Sequence, residues 1–98
     1  MGLLVHLQPR YRVWSNREAG YGRADILVVP QQPGLPGAVL ELKRLWEEET
    51  PAAALDDAMT QLKDRDYAAV LREAGAAPRQ AWAVVFDGKR LHVRHAAV

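Results

Sequence analysis

One helical segment lies between two strand-like runs, and it fixes the direction of the chain around it. Thr50 suits a helix N-cap and Pro51 the first helical position. Ala52–Ala54 favour helix, and Leu55, Met59 and Leu62 recur at helical spacing. The pattern predicts a helix running to about Glu73, closed by Gly75 and Pro78. AVLELKRL (38–45) precedes it and AWAVVF (81–86) follows it. A strand, a crossover helix and a strand place the two strands parallel, with a right-handed connection.

The rest of the chain supplies more strands. YRVWSNRE (11–18) reads as a first strand and the β-branched run ADILVVP (24–30) as a second. AGYG (19–22) reads as the turn between them, and QQPGLPG (31–37) is a loop of proline and glycine. AVLELKRL is the third strand and AWAVVF the fourth. RLHVRH (90–95) alternates as a fifth, after a tight turn at DGK (87–89). GLLVHL (2–7) reads as one or two helical turns stopped by Pro9. The expected class is α/β or α+β, with a mixed sheet of four to five strands. At 98 residues the expectation is a single domain spanning 1–98.

Composition narrows the functional classes. The net charge is +1, so bulk charge alone does not imply a nucleic-acid partner. Its distribution is uneven: residues 1–23 and 75–98 are basic, and Glu47, Glu48, Glu49, Asp56 and Asp57 make the middle acidic. If both ends fold to one side they form a modest basic surface suited to a polyanion; otherwise the charge only solubilises. With no cysteine, disulfides and thiolate zinc sites are excluded, and a cytoplasmic location is the expectation. MGLLVHL is too short for a membrane span and lacks the basic lead of a signal peptide.

The chemistry concentrates in three residues. Glu41 and Lys43 lie two apart in a strand and share a face. A hairpin through 31–37 brings Asp25 beside Glu41. Adjacent carboxylates repel unless a cation joins them, and Mg²⁺ takes carboxylate oxygens while keeping several waters. A lysine beside such an ion can orient water or stabilise an oxyanion. The set suits metal-dependent phosphodiester hydrolysis. The same residues are equally compatible with an exposed sheet face whose charges merely solvate it.

SNREAGYGRADILV, VLELKR, AMTQLKDRDY and AVVFDGKRLHVR, in that order, resemble the PD-(D/E)XK nuclease superfamily. Within it, the blocks look most like the nuclease-like domain found C-terminal to AAA-ATPase-like domains. The resemblance implies a restriction-endonuclease-like core, here with a truncated first helix and one long crossover helix. It implies Mg²⁺ or Mn²⁺ bound by Asp25 and Glu41, with the Leu42 carbonyl as a further ligand. It makes Lys43 the residue that orients water and stabilises charge. Gln61 and Tyr67 look like the glutamine and tyrosine that some branches carry on the following helix, where they steady the lysine or a phosphate. Glu18 resembles an upstream acid, either a ligand of a second metal or a base behind the ligands. Where relatives often have proline before the aspartate, Ala24 stands here.

The function so implied is hydrolysis of DNA by a metal-dependent nuclease. The alternative is a catalytically inactive nucleic-acid-binding or protein-interaction module that retains the fold. Arg17 and Arg23 flank the glycine turn and either hold phosphates or are ordinary strand-end charge. A truncated first helix leaves apolar sheet uncovered, so a homo-oligomer or a missing partner domain is expected to cover it. Glu47–Glu49 read as a solvated run. His92 and His95 fall on opposite strand faces, a poor metal pair. Trp14, Trp46 and Trp82 read as core or rim aromatics.

Overall fold

In the computed structural model, residues 2–7, 10–18 and 23–98 are described. The chain runs β1 (Gly2–Leu7), β2 (Tyr11–Glu18), β3 (Arg23–Pro30), β4 (Gly37–Arg44), α1 (Pro51–Asp64), α2 (Tyr67–Glu73), β5 (Arg79–Asp87) and β6 (Arg90–Ala97). The six strands form one sheet in chain order. Neighbours are antiparallel except β4 and β5, which the helical crossover makes parallel. The architecture is α+β with a mixed sheet. Among the described residues, no helix is long and apolar enough to cross a membrane.

The crossover follows its sequence signals closely. The Thr50 hydroxyl accepts from the Ala53 amide at 3.2 Å and caps α1, with Pro51 in its first turn. Ala54, Leu55, Ala58, Met59 and Leu62 form the buried stripe of α1. They pack on the inward face of the sheet with Leu27, Val39, Ala81, Ala83 and Val85. Gly37 shows how closely β4 approaches α2. A Cβ there would stand 2.8 Å from the Ala76 Cβ and 2.9 Å from Leu71 Cδ2. Leu71 itself is wholly buried. Removing such a side chain from water is worth about 1.5–3 kcal/mol.

Two helical expectations are corrected. Residues 2–7 form β1, not the last turns of a truncated first helix. Six residues are too few to hold a helix unaided, whereas β2 offers a free edge that the segment pairs with antiparallel. This strand is also why the sheet exceeds four to five. The long helix, expected unbroken to Glu73, is two: α1 ends at Asp64 and α2 begins at Tyr67. Between them Asp66 is left-handed, with φ 49° and ψ 41°. Aspartate tolerates that region better than most residues, but a helix cannot continue through it. Gly75, at φ 73°, follows the end of α2 as expected.

The two basic ends do not merge. β1 and β2 lie at one edge of the sheet and β5 and β6 at the other, so the basic ends lie at opposite edges. The turn expected at 19–22 and the stop at Pro9 lie outside the described residues. The face away from the helices carries cross-strand pairs Val84–Val93 and Phe86–Leu91, beside Trp82 stacked on His95 at 4.5 Å between ring centroids. Phe86, Leu91 and Val93 are 46%, 57% and 46% exposed.

Candidate metal centre

Strand alternation puts Asp25, Glu41 and Lys43 on the inward face, at the end of the sheet where β3 begins and β4 ends. Asp25 and Glu41 are direct cross-strand partners. Opposed residues in an antiparallel pair bring their Cβ atoms to about 4.5–5.5 Å. Both side chains are 1% exposed and Lys43 is 4% exposed. The buried setting removes the alternative in which these charges merely solvate an open face.

Asp25 divides its oxygens. Oδ2 accepts from the Tyr67 hydroxyl at 2.6 Å and from Arg65 Nη1. The break at Asp66 makes this convergence possible. In a continuous helix, residues two apart point about 200° away from each other. The left-handed residue turns the chain so that Arg65, closing α1, and Tyr67, opening α2, reach one oxygen. Burial pushes the Tyr67 phenol above its usual range; the Asp25 carboxylate adds to that, and the Arg65 charge works against it.

Three carboxylate oxygens at this spot are buried without a hydrogen-bond donor: Asp25 Oδ1, Glu41 Oε1 and Glu41 Oε2. A buried carboxylate with no partner costs several kcal/mol, on the order of the penalty for a lone charge in a protein interior. Either a proton or a cation must relieve it. Hard, donor-free oxygens from neighbouring strands fit a hard divalent ion. Among the described residues, no group of three or more His, Cys, Asp or Glu could hold a metal. The described carboxylates at this spot are two, Asp25 and Glu41.

Lys43 turns elsewhere. Its Nζ donates to Glu49 Oε2 at 2.6 Å and to Asp57 Oδ2 at 3.3 Å. Glu49 also accepts the Trp46 amide on Oε1 at 3.2 Å. The bond from Lys43, opposed by partial burial and supported by the Trp46 amide, holds the Glu49 carboxyl below the usual range. Glu49 is thus not simply part of a solvated run, which corrects that expectation.

The other sequence-derived candidates are scattered. Leu42 sits between Glu41 and Lys43, opposite Ala24 in β3 and Val84 in β5. Gln61 is half-buried on α1, and its backbone oxygen accepts from the Arg65 amide at 3.1 Å. Both hydrogen bonds from Lys43 go to Glu49 and Asp57, not to Gln61. Backbone pairing sets Glu18 opposite Arg23, Arg17 opposite Ala24, and Arg23 opposite Lys43. The side chains of Arg17, Glu18 and Arg23 lie outside the described part of the structure. Trp46 is 45% exposed, with the Arg44 guanidinium 5.1 Å from its ring centroid. Sequence reading missed Arg65 and Asp57. Both sit in charge-rich helical stretches with no local mark of their partners in the strands.

A mixed sheet with a crossover helix, and a cross-strand acid pair beside a buried lysine, defines a restriction-endonuclease-like α+β protein. The chain belongs to the PD-(D/E)XK nuclease superfamily, whose family model matches residues 1–96. Searches of curated proteins and of solved structures return no match. Nucleases of this superfamily generally use divalent metal ions.

Proposed function

We propose that this chain, read as one domain over 1–98, hydrolyses phosphodiester bonds in DNA with Mg²⁺ or Mn²⁺ held by Asp25 and Glu41. The observation that carries this is the trio of buried, donor-free oxygens on two paired strands. Bound there, a divalent ion would supply neutralising charge for the phosphate and a more acidic water. Asp25 presents Oδ1 to it because Arg65 and Tyr67 hold Oδ2. Glu41 would offer both oxygens, and the Leu42 carbonyl would be the further ligand. Lys43, a point charge whose Nζ already donates to Glu49 and Asp57, would direct the attacking water or meet the oxyanion through its remaining N–H. Gln61 steadies the bound phosphate. Glu18 takes the role of the upstream acid behind the ligands and Arg23 that of holding a flanking phosphate; Arg17, paired with Ala24 and so out of step with Asp25, is given no such role.

The test is incubation of the protein with plasmid and with single-stranded DNA, plus Mg²⁺ or Mn²⁺. Cleavage that Glu41→Ala abolishes supports the reading. No cleavage by the natural sequence, or cleavage undiminished in Glu41→Ala, refutes it. Salt-sensitive DNA binding without cleavage assigns the protein to the non-catalytic alternative instead.

A second part of the proposal concerns the open face. Phe86, Leu91 and Val93 form a contiguous exposed apolar ladder, the kind of surface that self-association or a docked domain covers. An AAA-ATPase-like neighbour is the domain that the four sequence blocks suggest, and a cytoplasmic setting suits both. Light scattering at micromolar concentration checks self-association: a species larger than 10.9 kDa supports it, and a monodisperse 10.9 kDa species counts against it.

A further inference from the structure

Glu41 and Lys43 carry opposite charge, share the inward face, and stand about 6.4–6.8 Å apart along the strand. That span is within reach of a four-carbon lysine stem. The simplest fate of such a pair in a buried setting is to neutralise each other. They do not: both Glu41 oxygens lack a donor, and the Lys43 ammonium is bonded to Glu49 and Asp57.

The means of holding Lys43 away are visible. Glu49 uses each oxygen for one purpose, Oε1 for the Trp46 amide and Oε2 for Lys43. The amide fixes the carboxylate just ahead of the Thr50 cap, so Oε2 cannot swing off without breaking a second bond. Asp57 approaches from α1, a different element, at 3.3 Å. Two carboxylates of separate origin thus draw the ammonium toward the start of α1. An ammonium has three donors, and two are committed here.

We infer that Glu49 and Asp57 are positioning residues that keep Lys43 off Glu41 and so keep the cation site open. The inference rests on the metal-site reading of Asp25 and Glu41 and goes beyond it. It gives a role to acids that bind neither ion nor substrate. Removing their charge frees Lys43 to pair with Glu41, and the lysine then competes with the metal for the same oxygens.

The experiment is calorimetric Mn²⁺ titration of the natural protein, of Glu49→Gln/Asp57→Asn, and of that double variant with Lys43→Met added. Circular dichroism and denaturant melts accompany each, and Glu49→Gln alone stands in if the double variant does not fold. Affinity should fall about tenfold or more in the variant, since an internal cation now occupies Glu41. It should return toward the natural value when Lys43→Met removes that competitor. A general loss of packing would not be repaired by the third substitution, so the rescue separates positioning from mere stability. If the natural protein binds Mn²⁺ and the charge-removed variant binds it equally well, the inference is overturned while the metal site stands. Weakened binding without rescue also overturns it. No binding by the natural protein overturns the metal site and this inference together.

Discussion

The Tyr67 hydroxyl donates to Asp25 Oδ2 at 2.6 Å, tying the first residue of α2 to β3 across 42 positions of sequence. Hydrogen bonds to a charged acceptor contribute about 1.5–3 kcal/mol, so Tyr67→Phe should lower unfolding free energy by that order in denaturant melts. The variant should also change the alkaline limb of stability. The folded-state phenol titrates above its ordinary value of 10.0. Its contribution is therefore intact below about pH 10 and fades as pH climbs through the raised value. Tyr67→Phe should lack that part of the alkaline loss, read from melts repeated across pH 8 to 11 or thereabouts. An identical alkaline limb in both proteins would contradict the assignment.

Glu41 gives the opposite sign. With no donor on either oxygen, its carboxylate burdens the metal-free fold. Glu41→Gln should raise metal-free stability by about 1–3 kcal/mol, because the uncompensated buried charge is removed. Added Mn²⁺ should raise the melting temperature of the natural protein by mass action and leave Glu41→Gln unmoved. A destabilised Glu41→Gln would mean that the carboxylate has a partner in solution.

Asp66 is the hinge on which Arg65 and Tyr67 converge. Its left-handed backbone is accessible to glycine without strain and costly for a β-branched residue. Asp66→Gly should stay within about 1 kcal/mol of the natural protein, whereas Asp66→Val should lose about 1–2 kcal/mol. If both variants melt alike, the break between α1 and α2 is not fixed at this residue.

Much of this fold was legible in the sequence, and the losses have physical causes. The strands at 24–30, 38–45 and 81–86 announce themselves through buried apolar runs, and Thr50-Pro51 through its cap. GLLVHL is a short apolar run, which periodicity cannot assign to helix or strand; the free edge of β2 decides it. Asp66 interrupts a stretch whose helical pattern continues on both sides, and an aspartate, which also occurs within helices, is too weak a mark of a left-handed turn. Asp25, Glu41 and Lys43 were legible because alternation and a hairpin suffice to gather them. Arg65 reaches Asp25 across 40 positions, and nothing nearby distinguishes it from Lys63. Glu49 sits in a run of three glutamates, where charge patterning suggests solvent; only the tertiary position of Lys43 singles it out.

Glu49 supplies an acid-side prediction. Its folded carboxyl lies below the ordinary value of 4.5, chiefly because of the Lys43 hydrogen bond. The stability it confers is thus present above about pH 4.5 and is lost as pH falls through the lowered value. Glu49→Gln should be less stable than the natural protein near neutrality, with the gap closing as the solution is made acidic. A gap that stays constant from neutral pH to about pH 3 would rule out the ion pair as its source.

The central claim is that Asp25 and Glu41 together hold a divalent cation, and the most direct measurement is calorimetric titration of Mn²⁺ into the natural protein beside Asp25→Ala. The expected result is saturable binding by the natural sequence, weakened about tenfold or more when the aspartate is removed. Absence of saturable heat in the natural protein, or equal affinity in Asp25→Ala, would contradict it.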